Sequence, residues 1–327
     1  MLNNKTILVT GGTGSFGQKF IGTILHKHKP KKVIVFSRDE FKQFEMAKIF
    51  PTEKYPIRYF LGDVRDRERL GRAFHGVDYV IHSAALKQVP ALEYNPMEAV
   101  KTNIMGADNI IHAAIECGVK KVIALSTDKA VTPVNLYGAT KLAAEKTFVA
   151  ANAYAGGDVK FGVVRYGNVM GSRGSVIPFF MSLKEQGIKE FPVTDKRMTR
   201  FWMLLEESVE LVLKALELSV GGEVFIPKIP SMNIIDLAKA IEPKATFTYF
   251  GIRPGEKLHE SLFSEDESRQ TFIHDGIYVI LPSFGFDDEV FNKYKKLPRV
   301  KEGFVYRSDT NDQWLTIKQL QERIKKI

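Results

Sequence analysis

Six short apolar, β-branched runs recur through the first half of the chain, at Ile7 to Val9, Val33 to Phe36, Ile57 to Leu61, Tyr79 to Ile81, Val122 to Leu125 and Phe161 to Val164. Helix-length segments separate them. This rhythm predicts parallel strands linked by crossover helices, an α/β chain built on a doubly wound parallel sheet. No short-period repeat or low-complexity tract interrupts the array. After about Tyr166 the pattern changes: helix-like stretches at Pro178 to Gln186, Leu205 to Leu218 and Ile234 to Ile241 mix with turns and short strands. The expected organisation is a sheet domain over residues 1–166 and a smaller, mainly substrate-binding α/β domain over 167–327. The run Val224 to Ile226 is placed to return to the main sheet. At 327 residues the chain can bury cores of this size.

The first run is followed at once by Gly11-Gly12-Thr13-Gly14-Ser15-Phe16-Gly17, which opens a helix. That context makes the glycines a dinucleotide fingerprint and the sheet Rossmann-like. Gly11 permits a tight turn, Gly14 lets backbone approach a pyrophosphate, and Gly17 lets helix and strand pack. Thr13, Ser15 and Phe16 complete the loop. At the end of the second run stands Ser37-Arg38-Asp39, where a preference for NAD usually places a carboxylate for the ribose 2′-hydroxyl. Arg38 can instead hold a 2′-phosphate bidentately, with Ser37 as a further donor, so the expected cofactor is NADP. Asp39 serves either the ribose or the N-cap of the helix from Glu40. Asp63 and Val64 are expected to border the adenine, and Ala84, Ala85 and Lys87 to line the cofactor channel.

The segment Ser126-Thr127-Asp128-Lys129-Ala130 ends the fifth run, and Tyr137-Gly138-Ala139-Thr140-Lys141 follows it. Tyr137 and Lys141, four residues apart on a helix, share a face, so the ammonium is expected to lower the phenol's pKa and let it act as a base. Asp128 and Lys129 add an acid and an amine beside it. Chemistry beyond hydride transfer is expected.

Composition removes other classes. The single cysteine, Cys117, cannot form an internal disulfide, which fits a reducing compartment and a cytoplasmic location. The start lacks a signal peptide's apolar stretch, and no apolar segment of about 20 residues is present, so no membrane anchor is expected. A net charge of +9 and a pI near 9.3 raise nucleic acid as a partner. No zinc-ligand spacing or nucleic-acid module accompanies the lysines, and the basic runs read as solvated faces. His82 and His259 lack a ligand cluster, so no metal is expected.

Taken together, the fingerprint, the Tyr137/Lys141 pair and Arg165-Tyr166-Gly167-Asn168-Val169 resemble the extended short-chain dehydrogenase/reductase family over nearly the whole chain. Ser126 to Ala130, Asn135 to Lys141, Gly171-Ser172-Arg173-Gly174-Ser175-Val176-Ile177-Pro178, Met198-Thr199-Arg200-Phe201-Trp202 and Pro254-Gly255-Glu256-Lys257-Leu258-His259-Glu260 resemble a group within it. That group is the inverting UDP-N-acetylglucosamine 4,6-dehydratases of pseudaminic acid biosynthesis. The resemblance implies a homo-oligomer acting on UDP-N-acetylglucosamine. Tyr137, activated by Lys141, would take the 4-hydroxyl proton while C4 gives hydride to NADP. The resulting ketone acidifies the C5 proton, and Asp128 and Lys129 would supply the acid and base for loss of the 6-hydroxyl. As a base Lys129 must be partly neutral; as an acid Asp128 must be partly protonated. Retaining dehydratases carry Asp-Glu where this chain has Asp128-Lys129, so inversion at C5 is carried over by resemblance.

The same resemblance implies substrate contacts from Lys87, Thr127, Asn168, Val176, Arg200, Arg253 and Glu256, with Arg200 and Arg253 on phosphate and Glu256 on the uridine ribose. Phe201 and Trp202 are expected in the core. Three other readings stay open: a retaining dehydratase, a UDP-hexose 4-epimerase that needs no acid-base pair at 128 and 129, and a non-catalytic NADP-binding sensor.

Overall fold

The computed structural model describes residues 1–172, 174–283 and 288–327. The six apolar runs form β1 (Thr6–Thr10), β2 (Lys32–Ser37), β3 (Ile57–Leu61), β4 (Tyr79–His82), β5 (Lys121–Thr127) and β6 (Lys160–Tyr166). Later strands are β7 (Asn168–Val169), β8 (Glu190–Val193), β9 (Thr199–Met203), β10 (Val224–Pro227), β11 (Ser231–Asn233) and β12 (Thr246–Tyr249). The last four are β13 (Ser261–Phe263), β14 (Thr271–His274), β15 (Ile277–Ile280) and β16 (Tyr306–Arg307). A nine-stranded sheet runs β14-β15-β10-β6-β5-β4-β1-β2-β3. From β3 to β10 every pairing is parallel; β15 and β14 close that edge antiparallel. Thus β10 returns to the main sheet, and β14 and β15 follow it there.

Between the first strands lie α1 (Ser15–Lys27), α2 (Glu40–Ile49), α3 (Arg67–Phe74), α4 (Val89–Tyr94), α5 (Pro96–Ala99) and α6 (Gly106–Glu116). They are followed by α7 (Leu136–Ala151), α8 (Val176–Glu185), α9 (Leu205–Leu218) and α10 (Ile234–Ile241). The α9 and α10 bounds match the apolar periodicity read from the sequence. The central strands are buried on both faces, which explains their unbroken apolar runs. Each buried aromatic such as Phe36 or Phe161 contributes about 1.5–3 kcal/mol by leaving water.

A second apolar cluster forms around Phe180, Phe191, Trp202 and Leu237, beneath the small β11-β9-β7 and β12-β8 sheets. Phe201 and Trp202 are both fully buried, as expected of core residues. The sheet order reverses between β1 and β4. The chain's first three strands fan one way from β1 and the later ones the other, which opens a crevice at the carboxyl ends of the strands.

Candidate active site

That crevice is a cleft of about 590 Å³. The glycine loop forms one wall. Helix α1 begins with Gly14 as its N-cap, with no side-chain cap and no acid in its first turn, so its backbone N–H groups and positive dipole end are left for an anion. Gly11 has φ +65°, and a Cβ there would lie 2.9 Å from the Ala84 backbone nitrogen. A Cβ on Gly17 would meet Gly12 at 2.5 Å. These glycines let the loop press against the end of β4 and α1 against the loop, which brings the uncapped N-terminus of α1 to the cleft, an arrangement that fits a bound dinucleotide.

The residues expected around the cofactor line this one cleft: Gly11, Thr13 to Gly17, Ser37, Arg38, Asp63, Val64, Ala84, Ala85, Lys87, Tyr137 and Lys141. Asp39 lines it too, while capping α2 by accepting from the Lys42 N–H at 2.9 Å. Arg38 reaches Asp63 at 3.4 Å, and Asp63 also holds Arg65 at 2.8 Å.

Where β5 ends, a single 3₁₀ turn, Asp128–Ala130, carries the acid and the amine. Helix α7 starts just beyond, capped by Asn135, whose side chain accepts from the Gly138 N–H at 2.8 Å. A Cβ on Gly138 would lie 2.1 Å from the Lys129 carbonyl oxygen, so this glycine is what allows α7 to press against the turn. Asp128 is completely buried and does not line the cleft. Its Oδ1 accepts from the Thr127 hydroxyl and from Lys129 Nζ, each at 2.9 Å, and its Oδ2 has no hydrogen-bond partner. Lys129 faces the cleft with 27% of its side chain exposed, and its Nζ also stands 3.7 Å from Glu260 Oε1.

Two electrostatic expectations need correction. Lys129 is not poised as a neutral amine: burial disfavours its charge, but the Asp128 and Glu260 carboxylates outweigh that and raise its pKa above the ordinary lysine value. Nor does Lys141 lower the Tyr137 phenol. Burial raises the phenol, and the cation opposing that rise is Lys129. Lys141 Nζ instead donates to the Leu125 carbonyl at 2.6 Å, and burial brings its pKa down from 10.5 to about 8 against the pull of Glu145.

The Lys141 shift carries a sign. Below about pH 8 the folded chain holds a buried ammonium, while the unfolded chain keeps its proton up to the ordinary 10.5. Between these values the unfolded state binds more protons, so the cost of the buried charge fades as pH rises. The urea-midpoint difference between Lys141→Met and wild type is therefore expected to fall from about pH 8 toward 10.5. A constant difference would mean that Lys141 is not buried as a cation.

The expected substrate contacts divide. Lys87, Thr127 and Asn168 line the cleft; Val176, Arg200, Arg253 and Glu256 do not. Three of the five N–H groups of the Arg200 guanidinium donate to the carbonyls of Thr199 (2.7 Å), Leu258 (3.0 Å) and Lys257 (2.9 Å). Arg253 is exposed, with its guanidinium over the Phe250 ring, and Glu256 accepts from the Thr194 hydroxyl at 3.4 Å. Val176 opens α8 and packs on the second apolar cluster. Arg173 lies outside the described residues. Glu260, which the sequence reading assigned no role, sits beside Lys129 and is 2% exposed. Its only signal in the sequence was its place at the end of the Pro254 to Glu260 motif.

His82 is buried against the Thr10 hydroxyl at 2.8 Å, its pKa pushed down to about 3 by burial, and His259 pairs with the Thr199 hydroxyl at 2.8 Å. Among the described residues no His/Cys/carboxylate cluster is arranged to hold a metal, and no helix is long and apolar enough to cross a membrane.

A doubly wound sheet with a glycine-loop cradle at its switch point, and a Tyr/Lys pair across the cleft, defines a Rossmann-type short-chain dehydrogenase/reductase of the extended kind. The chain belongs to the polysaccharide biosynthesis protein family within that class, which matches residues 7–282. It is 56% identical over 330 residues to the UDP-N-acetylglucosamine 4,6-dehydratase (inverting) of Campylobacter jejuni, covering 99% of this chain and 98% of that protein. It is also 46% identical over 275 residues to a UDP-glucose 4-epimerase of Rickettsia massiliae, covering 82% of this chain and 80% of that protein. Among solved structures, Pen from Bacillus thuringiensis superimposes with a TM-score of 0.90 at 39% identity, covering 100% of this chain and 98% of that one.

Proposed function

We propose that the chain is a C5-inverting UDP-N-acetylglucosamine 4,6-dehydratase that uses NADP, giving UDP-2-acetamido-2,6-dideoxy-β-L-arabino-hex-4-ulose as the first step of pseudaminic acid biosynthesis. We place it in the cytoplasm and as a homo-oligomer. The observation that carries the reading is that Tyr137 and Lys141 share one cleft with Lys129, whose amine is hydrogen-bonded to the buried carboxylate of Asp128 behind it. A 4-epimerase needs only the first pair. NADP is favoured by Arg38 and Ser37 at the end of β2. Bound in the cradle, it would accept hydride from C4 and return it to C6.

The side chains do the rest. Tyr137 first releases its own proton to solvent, with the Lys129 ammonium favouring the phenolate; the phenolate then takes the 4-hydroxyl proton, and the ketone so formed acidifies C5. As found, Asp128 and Lys129 are a carboxylate and an ammonium 2.9 Å apart. Passage of one proton from Nζ to Oδ1 turns that ion pair into a carboxylic acid and an amine. The amine then removes the C5 proton, and the acid protonates the departing 6-oxygen, which leaves as water. Both groups end in the charge state in which they began, and hydride addition at C6 is completed by a solvent-derived proton that reaches C5 on the opposite face. Thr127, which lines the cleft and donates to Asp128 Oδ1, connects the buried carboxyl to the sugar.

Incubation of the purified protein with UDP-N-acetylglucosamine in deuterated water, followed by proton NMR and mass spectrometry, tests this. A 4-keto-6-deoxy product with deuterium at C5 and L-arabino couplings is expected. Retained D-configuration would keep dehydration and reject inversion. An intact 6-hydroxyl with inversion at C4 would overturn the reading in favour of the epimerase, and an unchanged sugar despite tight NADP binding would leave a non-catalytic sensor.

A further inference from the structure

The segment from Gly255 to Glu260 is strapped beneath the catalytic turn. Asn135 Nδ2 donates to the Gly255 carbonyl at 2.7 Å, and Lys257 Nζ donates to the Val131 carbonyl at 2.6 Å. Arg200 holds the same strap from below through the carbonyls of Lys257 and Leu258. The Glu260 N–H donates to Ser308 Oγ at 3.0 Å, and its carbonyl accepts from the Ser308 N–H at 2.8 Å. The carboxylate of Glu260 is thereby delivered to the side of Lys129 away from bulk water. It is 2% exposed, and its Oε2 is buried with no hydrogen-bond partner among the described residues. A buried carboxylate oxygen left without a donor is costly, so its retention calls for a purpose.

The charges around Lys129 come from every element packed on it. Asp128 lies on its own turn, Tyr137 on α7 and Lys87 after β4; Arg200 lies on β9, and Lys257 and Glu260 on the strap. Of the two carboxylates, Asp128 is hydrogen-bonded to the Lys129 amine, while Glu260 stands at 3.7 Å without a hydrogen bond. Glu260 is also flanked by Lys257 at 3.6 Å and Arg200 at 4.0 Å.

We propose that Glu260 is a positioning residue for Lys129: its fixed, buried charge orients the amine between two carboxylates and governs the pH at which Lys129 gives up its proton to become the C5 base. The inference rests on the dehydratase reading above. Glu260 touches no reacting atom; it acts through Lys129. At a separation of this size in a partly desolvated site the attraction is strong, and it favours the ammonium. Glu260 is then the fixed anion that opposes every departure of that proton, to Asp128 within the pair and to solvent as pH rises.

The test follows exchange of the C5 proton and the appearance of reduced nicotinamide separately across pH, in the full chain supplied with NADP and UDP-N-acetylglucosamine. In wild type, C5 exchange rises with pH along a limb set by Lys129. In Glu260→Gln that limb is expected to move to lower pH by at least about one unit, tenfold in rate at fixed pH on the limb, with C4 oxidation unmoved. If Glu260 only packs, rates fall uniformly and the limb stays in place, which overturns the inference. Should Glu260→Gln fail to fold, Glu260→Asp withdraws the charge by one methylene and is expected to move the limb in the same direction by less; an unmoved limb there overturns it equally. A wild-type protein that exchanges no C5 proton would remove the dehydratase reading itself, whereas normal wild-type exchange with an unmoved variant limb removes only the role of Glu260.

Discussion

Lys129→Met is expected to separate the two halves of the proposed reaction: loss of water falls about 10²- to 10⁴-fold, while oxidation at C4 slows far less, through loss of the cation that opposes the rise of the Tyr137 phenol. The two sets of groups are distinct. Tyr137 and Lys141 sit on α7, with Lys141 anchored to the Leu125 carbonyl, whereas Lys129 reaches the cleft from the turn that ends β5. Methionine matches the length of the lysine stem and removes only the amine, so the cleft keeps its shape. A single-turnover reaction should then accumulate reduced nicotinamide and the 4-keto sugar with its 6-hydroxyl and C5 proton intact. Asp128 loses in this variant its only charged hydrogen-bond partner among the described residues, so urea unfolding must be measured beside it, and a modest stability loss is compatible with the prediction. Dehydration at the wild-type rate would show that Lys129 is not the C5 base.

The second large effect is on stability. Arg165 is 1% exposed on β6 and holds two carboxylates: Glu145 of α7 through Nη2 at 2.6 Å and Nε at 3.2 Å, and Glu267 through Nη2 at 2.9 Å and Nη1 at 3.0 Å. A further bond to the Leu262 carbonyl at 3.0 Å ties in β13. Burial alone would disfavour the guanidinium charge, but the two carboxylates more than offset it and raise its pKa. Arg165→Met would strand both carboxylates in the interior, a change expected to destabilise the fold by about 3–5 kcal/mol in urea or thermal unfolding. Adding Glu145→Gln to that variant should recover part of the loss, because one stranded charge is then gone. A loss below about 1 kcal/mol would mean that the network is already weakened by water or relaxation. Glu145 also accepts from the Ser126 hydroxyl and lies one turn beyond Lys141, so the double variant is expected to raise the deprotonated fraction of Lys141 as well.

Much of this was legible in the residue order. The apolar runs became β1 to β6 within a residue or two, and the glycine loop stands where a fingerprint after a first strand must stand, at the switch point beside β4. These features depend on neighbours in the chain: strand burial is written in consecutive side chains, and a backbone cradle needs only missing Cβ atoms over a few residues. Arg200 shows the opposite case. Its motif marked it for phosphate, but folding brings the Lys257 and Leu258 carbonyls to it, and with the neighbouring Thr199 carbonyl they take three of its five donors. No local pattern encodes that competition.

Residue order is enough to specify the sheet, the glycine loop and the presence of an acid, an amine and a phenol within a short stretch after β5. Their charges and their access come from packing: Asp128 is buried behind Lys129, Lys129 is an ammonium held between Asp128 and Glu260, and Lys141 is the amine whose pKa burial lowers. The division has one physical cause. Backbone geometry and apolar periodicity follow from residues close in sequence, whereas a protonation state is set by desolvation and by every charge within a few ångströms, and here the deciding charge arrives from a strap far along the chain.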